Sequence, residues 1–334
     1  MPRIYFTQVS NKNSGITNQI FTLVHAILIA MSQDKHTVVV DSFQRDFDNP
    51  NHRINLSELF DIKETNKFLE KYNINLYCSS HFNYKLNAIF YGYGNNVIDI
   101  TNKTNYISKG SYNKIAGDPC PGIPKELFIN YEINGQEYSD LYKENHPFDI
   151  WVNGIPSYEY FFKWIPKDNR VLFEDILKNL KFKTIIDSQP FLQEKIVNKG
   201  INVVHLRLED DAIHHWSKQN NMNKTDFKTL LEDKYIDLIC KYINPLQKTI
   251  IVGCKNNKII DFLKTFNYDY VIYNKNYNGR EINAIFDLIQ ASQCNETLIS
   301  NFNNENLNGS TFSYYISLLS NPKKIISIDL DNLI

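Results

Sequence analysis

Residues 201 to 211 read Ile201-Asn202-Val203-Val204-His205-Leu206-Arg207-Leu208-Glu209-Asp210-Asp211, and the fold turns on them. The first half is an apolar run of the kind that forms a strand covered on both faces of a parallel sheet. The second half carries His205 and Arg207 and then three acids in a row. A guanidinium on a strand surrounded by helices needs an anion, because burying it unpaired is costly. Two sources meet that need. One is an internal ion pair between Arg207 and Glu209 or Asp211, which leaves His205 as a satisfied core histidine. The other is a phosphate gripped bidentately at the cleft edge, with His205 aiding the same ligand and the acids orienting both. A metal site from His205, Asp211, His214 and His215 is a third arrangement, though no helix-spaced pair of ligands supports it.

Outward from this strand, the C-terminal half is regular. Strand patterns at Thr249–Gly253, Tyr270–Tyr273, Thr297–Ser300 and Lys324–Ile328 follow the one at Ile201–Leu208. Helical patterns fall between them at Lys224–Tyr242, Lys258–Thr265, Glu281–Ser292 and Ser310–Leu319. Strands alternating with helices in this way predict a parallel, doubly wound sheet. The helix after Gly279 has a capping-box-like start, Asn278 with Glu281 three residues on, and one apolar face of Ile282, Ile285, Phe286 and Ile289.

The N-terminus repeats the alternation. Arg3–Val9 is β-rich, Asn11–Thr17 is a polar loop, and Ile20, Leu23, Val24, Ile27, Leu28 and Met31 form a helical stripe before the strand pattern of His36–Asp41. This βαβ unit opens a second Rossmann-like sheet. From Ser42 to about Asp168 the pattern is irregular and aromatic, with short strands at Ile74–Cys78 and Phe148–Val152 and turns at Pro119, Pro121 and Pro124. A chain of 334 residues exceeds the usual size of a single core, about 250–300 residues. The expectation is an α/β protein of two Rossmann-like domains facing across a cleft, 1–168 and 169–334, with the junction near 165–185.

Composition narrows the function. Lys and Arg number 36 against 37 Asp and Glu, a net charge of -1, so no basic field draws in a nucleic acid or an anionic membrane. Cys78, Cys120, Cys240, Cys254 and Cys294 form no C-x-x-C pair and are odd in number, which argues against a disulfide framework or zinc site and for a reducing compartment. The longest apolar stretch, Ile20 to Met31, falls well short of the ~20 residues that cross a bilayer. A cytoplasmic protein without a membrane span is expected. The many Asn make chance N-x-S/T matches at Asn55, Asn102, Asn223, Asn295 and Asn308 uninformative.

Two further clusters sit at strand-to-helix junctions, where open parallel sheets bind ligands. Gly15-Ile16-Thr17-Asn18-Gln19 is either a plain turn with Thr17 or Asn18 capping the helix, or a cleft loop whose Asn18 amide meets a substrate hydroxyl or a phosphate. Asn308-Gly309-Ser310-Thr311-Phe312-Ser313 opens the last helix. It is either an N-cap or an anion site of free N–H groups and hydroxyls. No Lys follows in P-loop spacing, which excludes a Walker A site. Arg207 with the Ser310/Thr311 helix start would make a metal-independent diphosphate clamp.

The order Gly15-Ile16-Thr17-Asn18-Gln19-Ile20-Phe21, then His205-x-Arg207-x-x-x-Asp211, then Ser310-Thr311-Phe312-Ser313 resembles the GDP-fucose O-fucosyltransferase superfamily over nearly the whole chain, and the likeness extends to Glu281, Ala284 and Asp287. The resemblance implies a GT-B fold and a metal-independent, inverting transfer without a resident cofactor. The donor, GDP-fucose or a related nucleotide sugar, would sit mainly in the C-terminal domain, and the partner would be a glycan or polypeptide acceptor. It further implies that Arg207 binds the β-phosphate with His205 beside it, that Ser310 and Thr311 cover the diphosphate, and that Phe312 packs by the base. Gly15 and Asp287 belong to the same donor site, and Asn18 reaches toward the sugar or acceptor. Some relatives carry a catalytic Glu in the first loop; here Asn13-Ser14-Gly15 offers no carboxylate. Candidates for the acceptor's base are Asp41, Asp46, Asp211, His214 and His215. Where relatives have an Asp after the strand ending at Gly253, this chain has Cys254-Lys255-Asn256. Alternatives are a rhamnosyl-type donor on the same scaffold and a non-catalytic nucleotide-sugar or glycan binder. Most of the aromatic rings of the N-terminal half belong to the core, and the remainder would line an acceptor groove.

Overall fold

The computed structural model describes residues 4–7, 9, 15–32, 34–46, 49–81, 83–102, 112–133, 135–144, 151–152, 155–156, 165–183, 200–273, 279–304, 307–330 and 333. The loop residues 11–14, Asn278, and residues 148–150 of the expected strand at Phe148–Val152 lie outside them.

The N-terminal unit is the expected βαβ. β1 (Ile4–Thr7), α1 (Ile16–Ser32) and β2 (Thr37–Val40) place two parallel strands side by side, Ile4 opposite Thr37 and Thr7 opposite Val40. A hairpin of β3 (Phe43–Asp46) and β4 (Asn49–Ile54) follows, then short helices α2 (Leu56–Leu59) and α3 (Ile62–Leu69). β5 (Asn75–Cys78) returns parallel to β2 and completes the three-stranded sheet.

The next segment departs from the irregular reading. β6 (Tyr84–Tyr93), β7 (Asn96–Asp99), β8 (Glu126–Ile133) and β9 (Gln136–Lys143), with α4 (Tyr112–Ala116) inserted, form an antiparallel sheet in the order β7-β6-β8-β9. A register shift between Leu86 and Ala88 breaks the two-residue period of β6, and β9 buries none of its residues, so neither strand announces itself by alternation. The sheet keeps a small core of its own, with Val39 of β2 beside Ile89, Tyr91, Leu127, Ile129 and Tyr131. Further on come the two-residue strands β10 (Trp151–Val152) and β11 (Ile155–Pro156) and the helix α5 (Arg170–Asn179).

The C-terminal unit matches the sequence pattern closely. β12 (Ile201–Leu206) leads into α6 (Asp210–Gln219), which the sequence reading did not anticipate, and α7 (Lys224–Tyr242). β13 (Lys248–Gly253), α8 (Asn257–Thr265), β14 (Tyr270–Val271), α9 (Arg280–Ala291) and β15 (Thr297–Ser300) follow. A two-residue ribbon of β16 (Phe302–Asn303) and β17 (Asn308–Gly309) then leads to α10 (Thr311–Leu319) and β18 (Lys324–Ser327). The five parallel strands run β14-β13-β12-β15-β18, which in order of appearance is 3-2-1-4-5. The strand order therefore reverses between β12 and β15, the place where sheets of this kind open a crevice beyond their C-terminal ends.

Strand alternation sorts the side chains of β12. Ile201 and Val203 enter a core shared with α9 and α10, while Val204 and Leu206 enter a second core beneath α7 and α8. His205 falls by parity on the α10 side.

The first of these cores is continuous across both sheets. It holds Tyr5, Val38 and Leu76 of the N-terminal sheet, most of the apolar face of α1, Phe173 of α5, Ile285 and Phe286 of α9, and Tyr314 and Tyr315 of α10. Phe21 of α1 meets the rings of Phe173, Tyr314 and Tyr315 with centroids 5.3, 6.1 and 6.3 Å away. A bridge between Phe60 and Phe182 ties the segment after α5 to the N-terminal unit. The expected boundary at 168/169 thus falls just ahead of a helix whose apolar residues sit in a core common to both sides. No helix among the described residues is long and apolar enough to cross a membrane.

Candidate functional site

The reversal point of the C-terminal sheet is built around one buried tyrosine. Tyr235 of α7 is fully buried, and burial raises its pKa well above the ordinary phenol value. Its hydroxyl accepts the Arg207 backbone N–H at 3.0 Å and lies 2.7 Å from Asn301 Oδ1 and 2.9 Å from the His205 carbonyl. Asn301 Nδ2 donates to that same carbonyl at 2.7 Å, so the hydroxyl proton is best used on Asn301 Oδ1. The ends of β12 and β15 are pinned together, and the chain leaves the sheet at Arg207 in a fixed direction.

The His205 ring is almost wholly covered. Ser313 Oγ accepts the Asn301 N–H at 3.0 Å and meets His205 Nδ1 at 2.6 Å. Among the described residues Nδ1 is the acceptor that the Ser313 hydroxyl meets, an arrangement that puts the neutral ring's hydrogen on Nε2. Phe312 packs on the ring with centroids 4.8 Å apart. Gly309, at φ +110, precedes the helix, and a Cβ there would lie 2.2 Å from the Asn301 carbonyl oxygen. Only glycine lets the β17 backbone approach so closely. Ser310 is the N-cap of α10, its side chain accepting from the Ser313 N–H. Thr311 donates its hydroxyl to Asn18 Oδ1 at 2.9 Å across 293 residues of sequence. The three clusters read from the sequence therefore meet in one place.

Charge gathers just beyond the end of β12. Arg207 Nη1 is 3.1 Å from Glu209 and its Nη2 is 3.6 Å from Asp211 Oδ2. Arg280 Nη2, from the first residue of α9, is also 3.6 Å from that Asp211 oxygen. The internal ion pair considered from the sequence is thus present, yet the Arg207 side chain is 27% exposed and Asp211 43% exposed, so the guanidinium is not sealed in.

Behind this group lies Glu281, buried on α9. Its carboxylate does not cap its own helix, whose N-cap is Gly279 without a side-chain bond. It accepts the Ile16 N–H at the start of α1. Burial pushes its pKa up to about 7 against the opposing effect of that N–H, Arg280 and Arg207, and Asp46 adds to the rise. A carboxylate at the head of α1 also complements the helix dipole.

Other candidate residues are placed less centrally. Gly15 lies beside Glu281, whose Oε2 would be 3.8 Å from an added Cβ. Asp287 is buried and accepts the Gly253 N–H at 3.0 Å, tying α9 to the end of β13. His214 is exposed on α6, where Lys218 and then Lys224 lower its pKa. Among the described residues no hydrogen bond or ion pair joins it to Arg207, Ser310 or Thr311. His215 stacks edge-on against Trp216. Among the described residues no group of three His, Cys, Asp or Glu gathers to hold a metal ion.

Against known proteins, no family model matches the chain and no curated protein does so either. The residues that organise the site include three that the sequence reading passed over. Tyr235 looks like any core aromatic on a helix face. Asn301 was signalled faintly, as a polar residue directly after the buried strand Thr297–Ser300. Arg280 had no local signal, because its role depends on the head of α9 lying beside the first turn of α6.

Proposed function

We propose that this chain is a metal-independent, inverting glycosyltransferase that takes its sugar from a nucleoside diphosphate donor, GDP-fucose being the favoured one, and passes it to a hydroxyl of a glycan or polypeptide. The observation that carries the reading is the meeting of three segments at the strand-order reversal, Thr311 at the head of α10 bonded to Asn18 and Ser313 to His205, with Arg207 two residues beyond His205 at the end of the same strand, where this class of sheet binds nucleotides. The GT-B arrangement, with the N-terminal unit on the acceptor side, belongs to the same proposal, as does a cytoplasmic site of action.

In the proposed reaction the acceptor oxygen attacks the anomeric carbon from the face opposite the leaving group. The carbon–oxygen bond to the β-phosphate breaks, its electron pair stays on the phosphate oxygen, and the acceptor proton passes to a base. Negative charge grows on the diphosphate as that bond breaks, so a fixed guanidinium and the head of α10 stabilise the transition state more than the ground state. His205 acts as a positioning residue, since its ring is buried and bonded to Ser313. Of the candidate bases, Asp46 lies near Glu281, Asp211 sits on Arg207 at the leaving-group side, and His214 stands apart on α6.

A second reading has an observation of its own. The 3.1 Å contact of Arg207 with Glu209 fits a structural ion pair in a non-catalytic protein. Donor turnover separates the two. Release of GDP from GDP-fucose that survives a chelator and is lost in Arg207→Ala supports the transferase. Turnover unchanged in Arg207→Ala removes it.

A further inference from the structure

Arg207 and Arg280 come from different parts of the sheet, one at the end of β12 and one at the head of α9, yet each sets a nitrogen 3.6 Å from the same oxygen of Asp211. Two guanidiniums aimed at one oxygen define an anion position. We propose that Arg280 is a second phosphate-binding residue, and that the Asp211 carboxylate stands where a phosphate group of the donor binds and yields to it. The proposal deepens the donor reading above, on which its nucleotide part rests.

Three features make the exchange cheap. At 3.6 Å the contacts are ion pairs longer than hydrogen bonds, and such pairs between partly exposed groups contribute little. Asp211 is in the first turn of α6, so a carboxylate that swings out toward solvent remains at the positive end of a helix dipole. A phosphate, in contrast, offers oxygens in the spacing that guanidinium forks take up in pairs. Two arginines also match the charge of a diphosphate, which Arg207, already shared with Glu209 at 3.1 Å, would match poorly by itself. Glu281 and Asp46 flank the site, so its field is mixed and not purely positive. Asp211 then works as a gate on affinity: any anion weaker than its own carboxylate is refused.

Calorimetric titration of the full chain with GDP and, separately, with inorganic pyrophosphate tests this. Arg280→Gln should weaken both ligands by about tenfold or more, the usual loss for a charge-assisted contact to phosphate. Asp211→Asn should tighten both severalfold, an effect that a folding defect cannot imitate. Binding unchanged in Arg280→Gln, or weakened in Asp211→Asn, overturns the proposal while leaving the donor reading intact. Pyrophosphate binding that needs Arg280, without any GDP binding, upholds the anion site and removes GDP as the donor nucleotide. If neither ligand binds the wild-type chain, both fall.

Discussion

Replacing Glu281 by Gln should make the protein's stability less sensitive to pH, in a direction and by an amount set by burial. Glu281 is 3% exposed, and the pKa of its carboxyl rises from an ordinary 4.5 to about 7 on folding. Between those pH values the native chain holds a proton that the unfolded chain has released. The contribution of this group is therefore fully present below pH 4.5, is lost as the pH climbs toward 7, and is gone above it. At about 1.4 kcal/mol for each tenfold change in proton affinity, the full span is ~3 kcal/mol, of which about 2.5 kcal/mol falls between pH 5 and pH 8. Gln keeps an oxygen for the Ile16 N–H and carries no charge to bury. Urea unfolding of both proteins at the two pH values gives the comparison, and the other titrating groups cancel in the difference. Between pH 5 and pH 8 the stability difference should move about 2.5 kcal/mol in favour of Glu281→Gln. A difference that stays constant to within ~0.5 kcal/mol would mean that Glu281 ionises in the native state as readily as in water, and the reasoning from burial fails.

Other consequences are simpler to state. Tyr235→Phe removes the hydroxyl that serves Arg207, His205 and Asn301, and should cost ~1–3 kcal/mol in a denaturant melt through the buried groups it leaves unpaired. Asn18→Ala breaks the bond from Thr311; a loss of about 1 kcal/mol of stability with weaker GDP binding is expected, and unaltered GDP affinity would remove Asn18 from the donor site. Phe21→Ala empties a position ringed by Phe173, Tyr314 and Tyr315 and should cost ~3–5 kcal/mol. Because that core joins both sheets, calorimetry of this variant should still show one transition. Two separated transitions would mean that the halves fold independently.

The C-terminal unit was legible in the sequence for a physical reason. Its central strands β12, β13 and β15 are buried and appear as apolar runs, and α8 and α9 carry clear apolar faces; Lys224–Tyr242 coincides with α7 and the starts of α8, α9 and α10 differ by one residue. The antiparallel sheet over residues 84–143 was hidden by the irregular register of β6 and the polar make-up of β9, although Asn134-Gly135 is a hairpin dipeptide in plain view. The site was legible wherever a polar residue interrupts an apolar strand or opens a helix, as at His205, Arg207 and Thr311. It was not legible where the role comes from packing. Glu281 reads as a cap for its own helix and instead holds the start of α1. Arg280 reaches Asp211 only because the head of α9 lies beside the first turn of α6.

The central claim is that the strand-end guanidinium of Arg207 serves a leaving nucleoside diphosphate. Incubating the full chain with GDP-fucose and, in parallel, with UDP- and dTDP-linked sugars, in chelator and then with added magnesium or manganese, tests it most directly by the nucleoside diphosphate set free. The account predicts GDP release in chelator, abolished in Arg207→Ala. Release confined to UDP-sugars and dependent on added metal, or undiminished in Arg207→Ala, would contradict it.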